Sequence, residues 1–153
     1  VNLVPLFYGA EKERVLRPGT GNVVGAIGFV EALKEYKRID WKKAQENKEI
    51  LQEGLEKIGG RLTAKGARKS QGYLHICFKN KDGEEIVNYL STKKIYCSTG
   101  SACNSANKEK RILSALKVPA EYHSGALRFT LADKTSEKDV KKAVKEIKNF
   151  LKL

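Results

Sequence analysis

Among the side chains here that could act as nucleophiles, Cys103 has the most suggestive surroundings. It lies in the run Ser98-Thr99-Gly100-Ser101-Ala102-Cys103-Asn104-Ser105, whose small residues leave a side chain accessible. A helix is predicted just beyond, over 108–117, and unpaired amides near a helix start favour a thiolate, the form of cysteine that reacts. The other two cysteines read differently. Cys97 alternates with Tyr96 in a strand-like stretch, and Cys77 lies between Ile76 and Phe78, so both are expected in a core or strand. No Cys-x-x-Cys pair occurs, and His75 and His123 are far apart with no ligand spacing, which argues against a metal site. On residue pattern alone, Thr20 reads as a helix cap and Arg128 as an arginine at a strand edge.

These residues need a scaffold, and the chain divides into two patterns. Residues 1–22 show no amphipathic period and are rich in Gly, Pro and charge, so they read as an irregular segment. Val23, Val24, Ile27, Val30 and Leu33 then recur at helical spacing, predicting a helix to about Tyr36 with Asn22 or Thr20 as its cap. Asp40 starts a second helix with Trp41, Ala44, Leu51, Leu55 and Ile58 inward, stopped by Gly59-Gly60. From there short extended pieces alternate with helices. Strands are predicted over 61–64, 73–78, 94–97 and 126–131. Asp82 caps a helix to about Leu90, and Ser136 caps a last helix with Val140, Val144, Ile147 and Leu151 inward. The order implies an α/β chain, its sheet covered by helices.

At 153 residues the chain fits one compact body. Hydrophobic residues at 41% and charged residues at 31% mark a globular composition, and no apolar stretch approaches the ~20 residues of a membrane helix. An odd count of three cysteines argues against a disulfide framework and for a reducing compartment. With no secretory signal visible, a cytoplasmic location is expected. Thirty basic against eighteen acidic residues give a net charge of +12, spread over both halves of the chain. That suits attraction to acidic surfaces. A nucleic-acid-binding domain is the weaker alternative, because no aromatic-rich basic stripe accompanies the charge.

Three segments carry a resemblance. The stretch from Ile95 to Ser105 resembles the active-site loop of cysteine desulfurases of the nitrogen-fixation and iron–sulfur-cluster-assembly type, within the class-V aminotransferase superfamily. Upstream, Glu13-Arg14-Val15-Leu16-Arg17-Pro18-Gly19-Thr20 is similar to the family's Gln-Glu-Arg-Gly-Leu-Arg-Ser-Gly-Thr segment. Gly125-Ala126-Leu127-Arg128-Phe129-Thr130-Leu131 is similar to the strand that carries its substrate-binding arginine. The motifs come in the family's order, and the likeness covers essentially the whole chain.

The resemblance implies a fold, an activity and roles. The fold would be the C-terminal part of a fold-type I pyridoxal-phosphate transferase. Residues 1–22 would end the large cofactor-binding domain, 23–60 would be linking helices, and 61–153 would form an α+β-like small domain with the cysteine loop at 98–107. The activity would be conversion of L-cysteine to L-alanine, with sulfur passing to Cys103 as a persulfide. Arg128 would hold the substrate carboxylate, a task suited to a planar bidentate donor. Thr20 would reach the cofactor phosphate of the neighbouring subunit in a homodimer. An iron–sulfur scaffold or a sulfur carrier would take the sulfur onward.

The sequence departs from the pattern in places. The family's Gly-Gly-Gly appears as Gly9-Ala10-Glu11, and its serine after the second arginine is Pro18. Family members are over twice this length, and no lysine here sits in their Ser-x-His-Lys setting. The expectation is therefore a fragment, split-gene product or cut domain that binds no pyridoxal phosphate and turns over no cysteine by itself. The alternative from another class is a sulfur-carrier or scaffold-docking module that accepts persulfide at Cys103 without cofactor chemistry.

Overall fold

The structure is a computed structural model and describes residues 4–9, 18–99 and 112–153. It divides into two compact units, Val1–Ile39 and Asp40–Leu153.

In the first unit, helix α1 spans Val23–Arg38. Of the two candidate caps, Asn22 does the capping, its side chain accepting from the Gly25 amide at 2.9 Å. Lys37 and Arg38 in the last turn suit the negative end of the helix. The helical spacing is as predicted, yet the helix buries no residue: Val23, Ile27, Phe29, Val30, Leu33 and Tyr36 are all exposed.

The second unit opens with helix α2, Trp41–Lys57, capped by Asp40, and proceeds through strand β1, Gly60–Leu62, and strand β2, Tyr73–Phe78. Helix α3, Gly83–Thr92, starts at Asp82, whose carboxylate accepts from the amides of Glu84 and Glu85. A short helical run at 112–115 and a 3-10 turn, Ala120–Tyr122, precede strand β3, Ala126–Thr130. Helix α4, Glu137–Leu151, closes the unit, with Ser136 and Asp139 capping each other.

The sheet is antiparallel in the order β1-β2-β3. Its register pairs Leu62 with Ile76, Leu74 with Phe129, His75 with Arg128 and Ile76 with Leu127. Strand residues alternate between faces, so this register decides everything a face carries. One face holds Leu74, Ile76, Phe78, Leu127 and Phe129, packed with Leu51 and Leu55 of α2, Ile86 and Leu90 of α3, and Val140, Ala143 and Ile147 of α4. Three helices thus cover one side of a small sheet, as the α/β reading expects. On the opposite face, Leu113, Val118 and Tyr122 pack on Cys77 and Ala126.

Two strand predictions need correcting. β1 ends at Leu62 rather than Ala64, because Ala64 takes a left-handed backbone (φ 49°) that leaves the ladder. The stretch 94–97 is not a strand. Lys94 is also left-handed (φ 58°) as the chain leaves α3, and pairing is delayed to a single bridge at Ser98.

Candidate active site

The rung at Ser98 organises the open face. Arg128 donates its amide to the Ser98 carbonyl at 2.6 Å and accepts from the Ser98 amide at 3.1 Å, so both of its backbone groups face Ser98. Toward β2, Arg128 is therefore in a non-hydrogen-bonded pair, the closer kind, with Cα atoms about 4.5 Å apart. The residue opposite is His75, whose own backbone turns the other way: its carbonyl accepts from the Thr63 amide at 3.3 Å. Thr63, His75, Arg128 and Ser98 thus form one polar row across the sheet. Burial falls along the row from Thr63, which is buried, through His75, partly so, to Arg128, which is exposed.

The imidazole is held from behind. Thr63 Oγ1 lies 3.0 Å from His75 Nδ1 and donates to the His75 carbonyl at 3.1 Å. Burial, and then the Arg128 charge, hold the His75 pKa below the usual histidine value, which keeps the ring neutral.

Cys103 lies outside the described residues, as does most of the 98–107 loop; Ser98 and Thr99 are its described part. The other thiols are in place and read as unreactive. Cys77 is fully buried in the small cluster with Leu113 and Ala126. Cys97 is half-buried against the main core, and burial pushes its thiol up to about 11. A thiol so raised stays protonated at neutral pH and is a poor nucleophile.

Thr20 is exposed in the first unit, two residues ahead of the Asn22 cap. His123 is structural: its Nε2 meets the Val118 carbonyl at 2.8 Å, close after the 3-10 turn. Among the described residues no group of three or more His, Cys, Asp or Glu could hold a metal.

His75 is the residue that reading the sequence missed. The signal was present: 73–78 and 126–131 both read as strands, and pairing them with Leu74, Ile76, Leu127 and Phe129 on one face leaves His75 and Arg128 together on the other. A hollow of about 350 Å³ does not belong to this site. Its walls include Phe129, Leu131, Val140 and Ala143, on the core side of the sheet, and Arg128 is not among them.

A sequence model described as aminotransferase class-V matches residues 7–143. The chain belongs to that family. Curated relatives of this class-V chain are named cysteine desulfurases. It is 33% identical to the cysteine desulfurase IscS of Methanosarcina thermophila, over 96% of this chain and 38% of that protein. It is 32% identical to the IscS of Dictyoglomus turgidum, over 89% and 36%. Among solved structures, a NifS-like protein superposes with a TM-score of 0.76 at 28% identity, covering 97% of this chain and 38% of that one. A NifS-like protein from Rickettsia africae, at 18% identity, shares the fold with a TM-score of 0.77. The chain spans a little over a third of the length of these relatives.

The family depends on pyridoxal phosphate, and the described residues do not by themselves supply the group that would hold it. An enclosed lysine is needed to hold it, and no described lysine is buried. Lys69 has a lowered pKa, from partial burial first and then Lys48, with Glu56 opposing, but it lies on the exposed connection between β1 and β2. The described helices include none long and apolar enough to cross a membrane.

Proposed function

We propose that this chain is the C-terminal part of a cysteine desulfurase and supplies two of its working groups: Cys103, which takes sulfur from L-cysteine, and Arg128, which grips the substrate carboxylate. In this reading residues 1–22 end the large domain, 23–60 link, and 61–153 form the small domain. Thr20 reaches the cofactor phosphate of a second subunit. The whole enzyme works in the cytoplasm as a homodimer and passes sulfur to an iron–sulfur scaffold or sulfur carrier.

The observation that carries the reading is the rung between Ser98 and Arg128. Cys103 follows Ser98 by five residues. A chain that long reaches at most about 18 Å, so the covalent connection limits how far Cys103 can be from the rung that holds Arg128. A carboxylate held on Arg128 by paired hydrogen bonds puts its amino acid within that reach.

The Cys103 thiolate attacks the sulfur of the substrate, and a sulfur–sulfur bond forms as the substrate carbon–sulfur bond breaks. The electron pair stays with carbon, which takes up a proton to give alanine, and Cys103 is left as a persulfide. Its outer sulfur is then open to attack by an acceptor thiol. Cleaving the carbon–sulfur bond needs the electron sink that pyridoxal phosphate supplies in the complete enzyme.

Two mixtures test this. With pyridoxal phosphate and L-cysteine alone, the chain is expected to release no alanine. Joined to the lysine-bearing remainder of the fold, it is expected to release alanine and gain one sulfur at Cys103 by mass spectrometry. Cys103→Ser should abolish both, and Cys97→Ser should abolish neither. Alanine release by the chain alone overturns the incomplete-enzyme reading. Equal loading of Cys103 from an unrelated persulfide donor, with no gain from the remainder, favours the carrier module instead.

A further inference from the structure

The hollow of about 350 Å³ on the core side of the sheet takes no part in the polar row, and its walls carry a chemistry of their own. Phe129, Leu131, Val140 and Ala143 form an apolar floor, and Ile95 and Tyr96 continue it as a side wall on which Tyr96 is 79% exposed. The rim is charged, with Lys94, Lys134 and Lys142 against a single carboxylate, Asp139. That carboxylate is already engaged, since it accepts from the Ser136 amide at 3.0 Å and from the Ser136 hydroxyl. Among the described residues no carboxylate lies within ion-pair distance of the three ammonium groups. Lys142 donates instead to the Lys93 carbonyl at 2.9 Å. At Lys94 the backbone sets the rim: the amides of Lys94 and Ile95 donate to the Ser91 and Leu90 carbonyls at 3.0 Å each and hold the left-handed turn.

The charge runs on past the hollow. Lys138, Lys142 and Lys145 are exposed and recur at helical spacing on one side of α4, whereas Lys141 is paired with Glu137. An occupant that satisfies both parts carries an apolar side chain for the floor and carboxylates for the rim, in a chain long enough to follow the lysines. A small acid would leave the helix lysines unused. A nucleic-acid strand stacks its bases on several aromatic rings, and the hollow offers one exposed ring, Tyr96.

We propose that the hollow and its lysine rim dock an acidic polypeptide segment of a partner protein through one apolar side chain. Ile95 and Tyr96 lead directly into the Ser98 rung, so such a segment lies against the stretch that runs on to Cys103. This docking does not depend on the desulfurase reading.

The probe is a fluorescein-labelled peptide, Asp-Glu-Phe-Glu-Asp, titrated with the chain by anisotropy at low salt, with amide shifts mapped by nitrogen-15 NMR. Binding is expected to move the amides of Ile95, Tyr96, Leu131 and Lys134 and to spare Arg61 on the far edge strand. Replacing the peptide's Phe with Ser should weaken binding about tenfold, the scale of one buried apolar side chain. Lys134→Glu should weaken it about fivefold or more, and Lys94→Asn, which tolerates the left-handed turn, about threefold. Ala143→Leu fills the floor and should abolish binding; where it disturbs folding, Lys134→Glu on the exposed rim carries the test.

A Ser-bearing peptide that binds as tightly as the original overturns the proposal, since charge alone is then the attraction. So does binding that ignores both Lys134→Glu and Ala143→Leu, or shifts that fall elsewhere. An oligothymidylate of equal charge that moves the same amides at lower concentration assigns the hollow to nucleic acid and overturns the peptide. Loss of binding once the chain is joined to the lysine-bearing remainder of the fold shows that the remainder covers the hollow, and overturns it too.

Discussion

Burial decides the reactivity of the two described cysteines. Cys97 packs against the main core, and with its thiol near 11 only about one molecule in a thousand is ionised at pH 8. Iodoacetamide at that pH is expected to leave Cys97 and Cys77 unlabelled in the folded chain and to label both in urea, read by peptide mass mapping. His75 gives a second reading of burial. Its pKa is lowered in the folded chain, by burial first and Arg128 second, so below the ordinary histidine value near 6.5 the unfolded chain binds a proton that the folded chain refuses. Stability therefore falls as pH drops from about 7 through 6.5 toward the folded value. Urea midpoints between about pH 7.5 and 5.5 should decline, and His75→Gln should flatten the decline. The lowered Asp139 carboxyl, held chiefly by its hydrogen bonds to Ser136, contributes in a separate window. Its share is present above the ordinary carboxylate range and is lost only as the pH falls through and below it.

The strand that carries Arg128 depends on a glycine. At Gly125 an added Cβ would run into the Phe78 carbonyl, a backbone atom that cannot turn aside, while the Gly125 carbonyl accepts from the Phe78 amide at 2.9 Å. Gly125→Ala is expected to cost on the order of 2–3 kcal/mol by urea denaturation and to weaken the amide protection of Arg128 and Ser98. Helix α2 contributes a subtler element. Asn47 is buried on its inner stripe, and its Nδ2 donates to the Thr135 carbonyl at 2.7 Å, tying the helix to the lead-in of α4. Asn47→Ala should cost about 1–2 kcal/mol, since it strands that carbonyl. Nothing in periodicity marks Asn47, which sits between Ala44 and Leu51 where only an apolar residue is expected. The caps, by contrast, were legible: Asp40, Asp82 and Ser136 each announce a helix, and each accepts from amides of its first turn. Illegible were the two left-handed residues, Ala64 and Lys94, that cut strands short, because a positive φ at alanine or lysine has no compositional signal. Arg128 was found through a resemblance to known sequences and His75 only through register, since pairing is a property of two segments and periodicity describes one.

Among the described residues, the buried apolar side chains all belong to the second unit. Every residue of the main core comes from 51–147, while α1 presents its apolar side chains to solvent. Truncations should follow that division. Leu55→Ala and Ile76→Ala are expected to cost about 2–5 kcal/mol each in denaturant melts, and Ile27→Ala and Val30→Ala less than about 0.5 kcal/mol. The net charge of +12 acts on the same scale, by drawing in acidic surfaces without choosing among them.

Parity governs the polar row. Whether a residue of β3 meets water or the three helices depends on an odd or even count from its rung, and Arg128 sits between inward Leu127 and Phe129. Inserting one amino acid between Gly125 and Arg128 would point the guanidinium at the hydrophobic layer and bring an aliphatic group out next to the imidazole. Inserting two would return each to its side, one step out of line with Ser98. A single-codon insertion at this spot therefore does more harm than many substitutions, and a second one beside it partly undoes the damage.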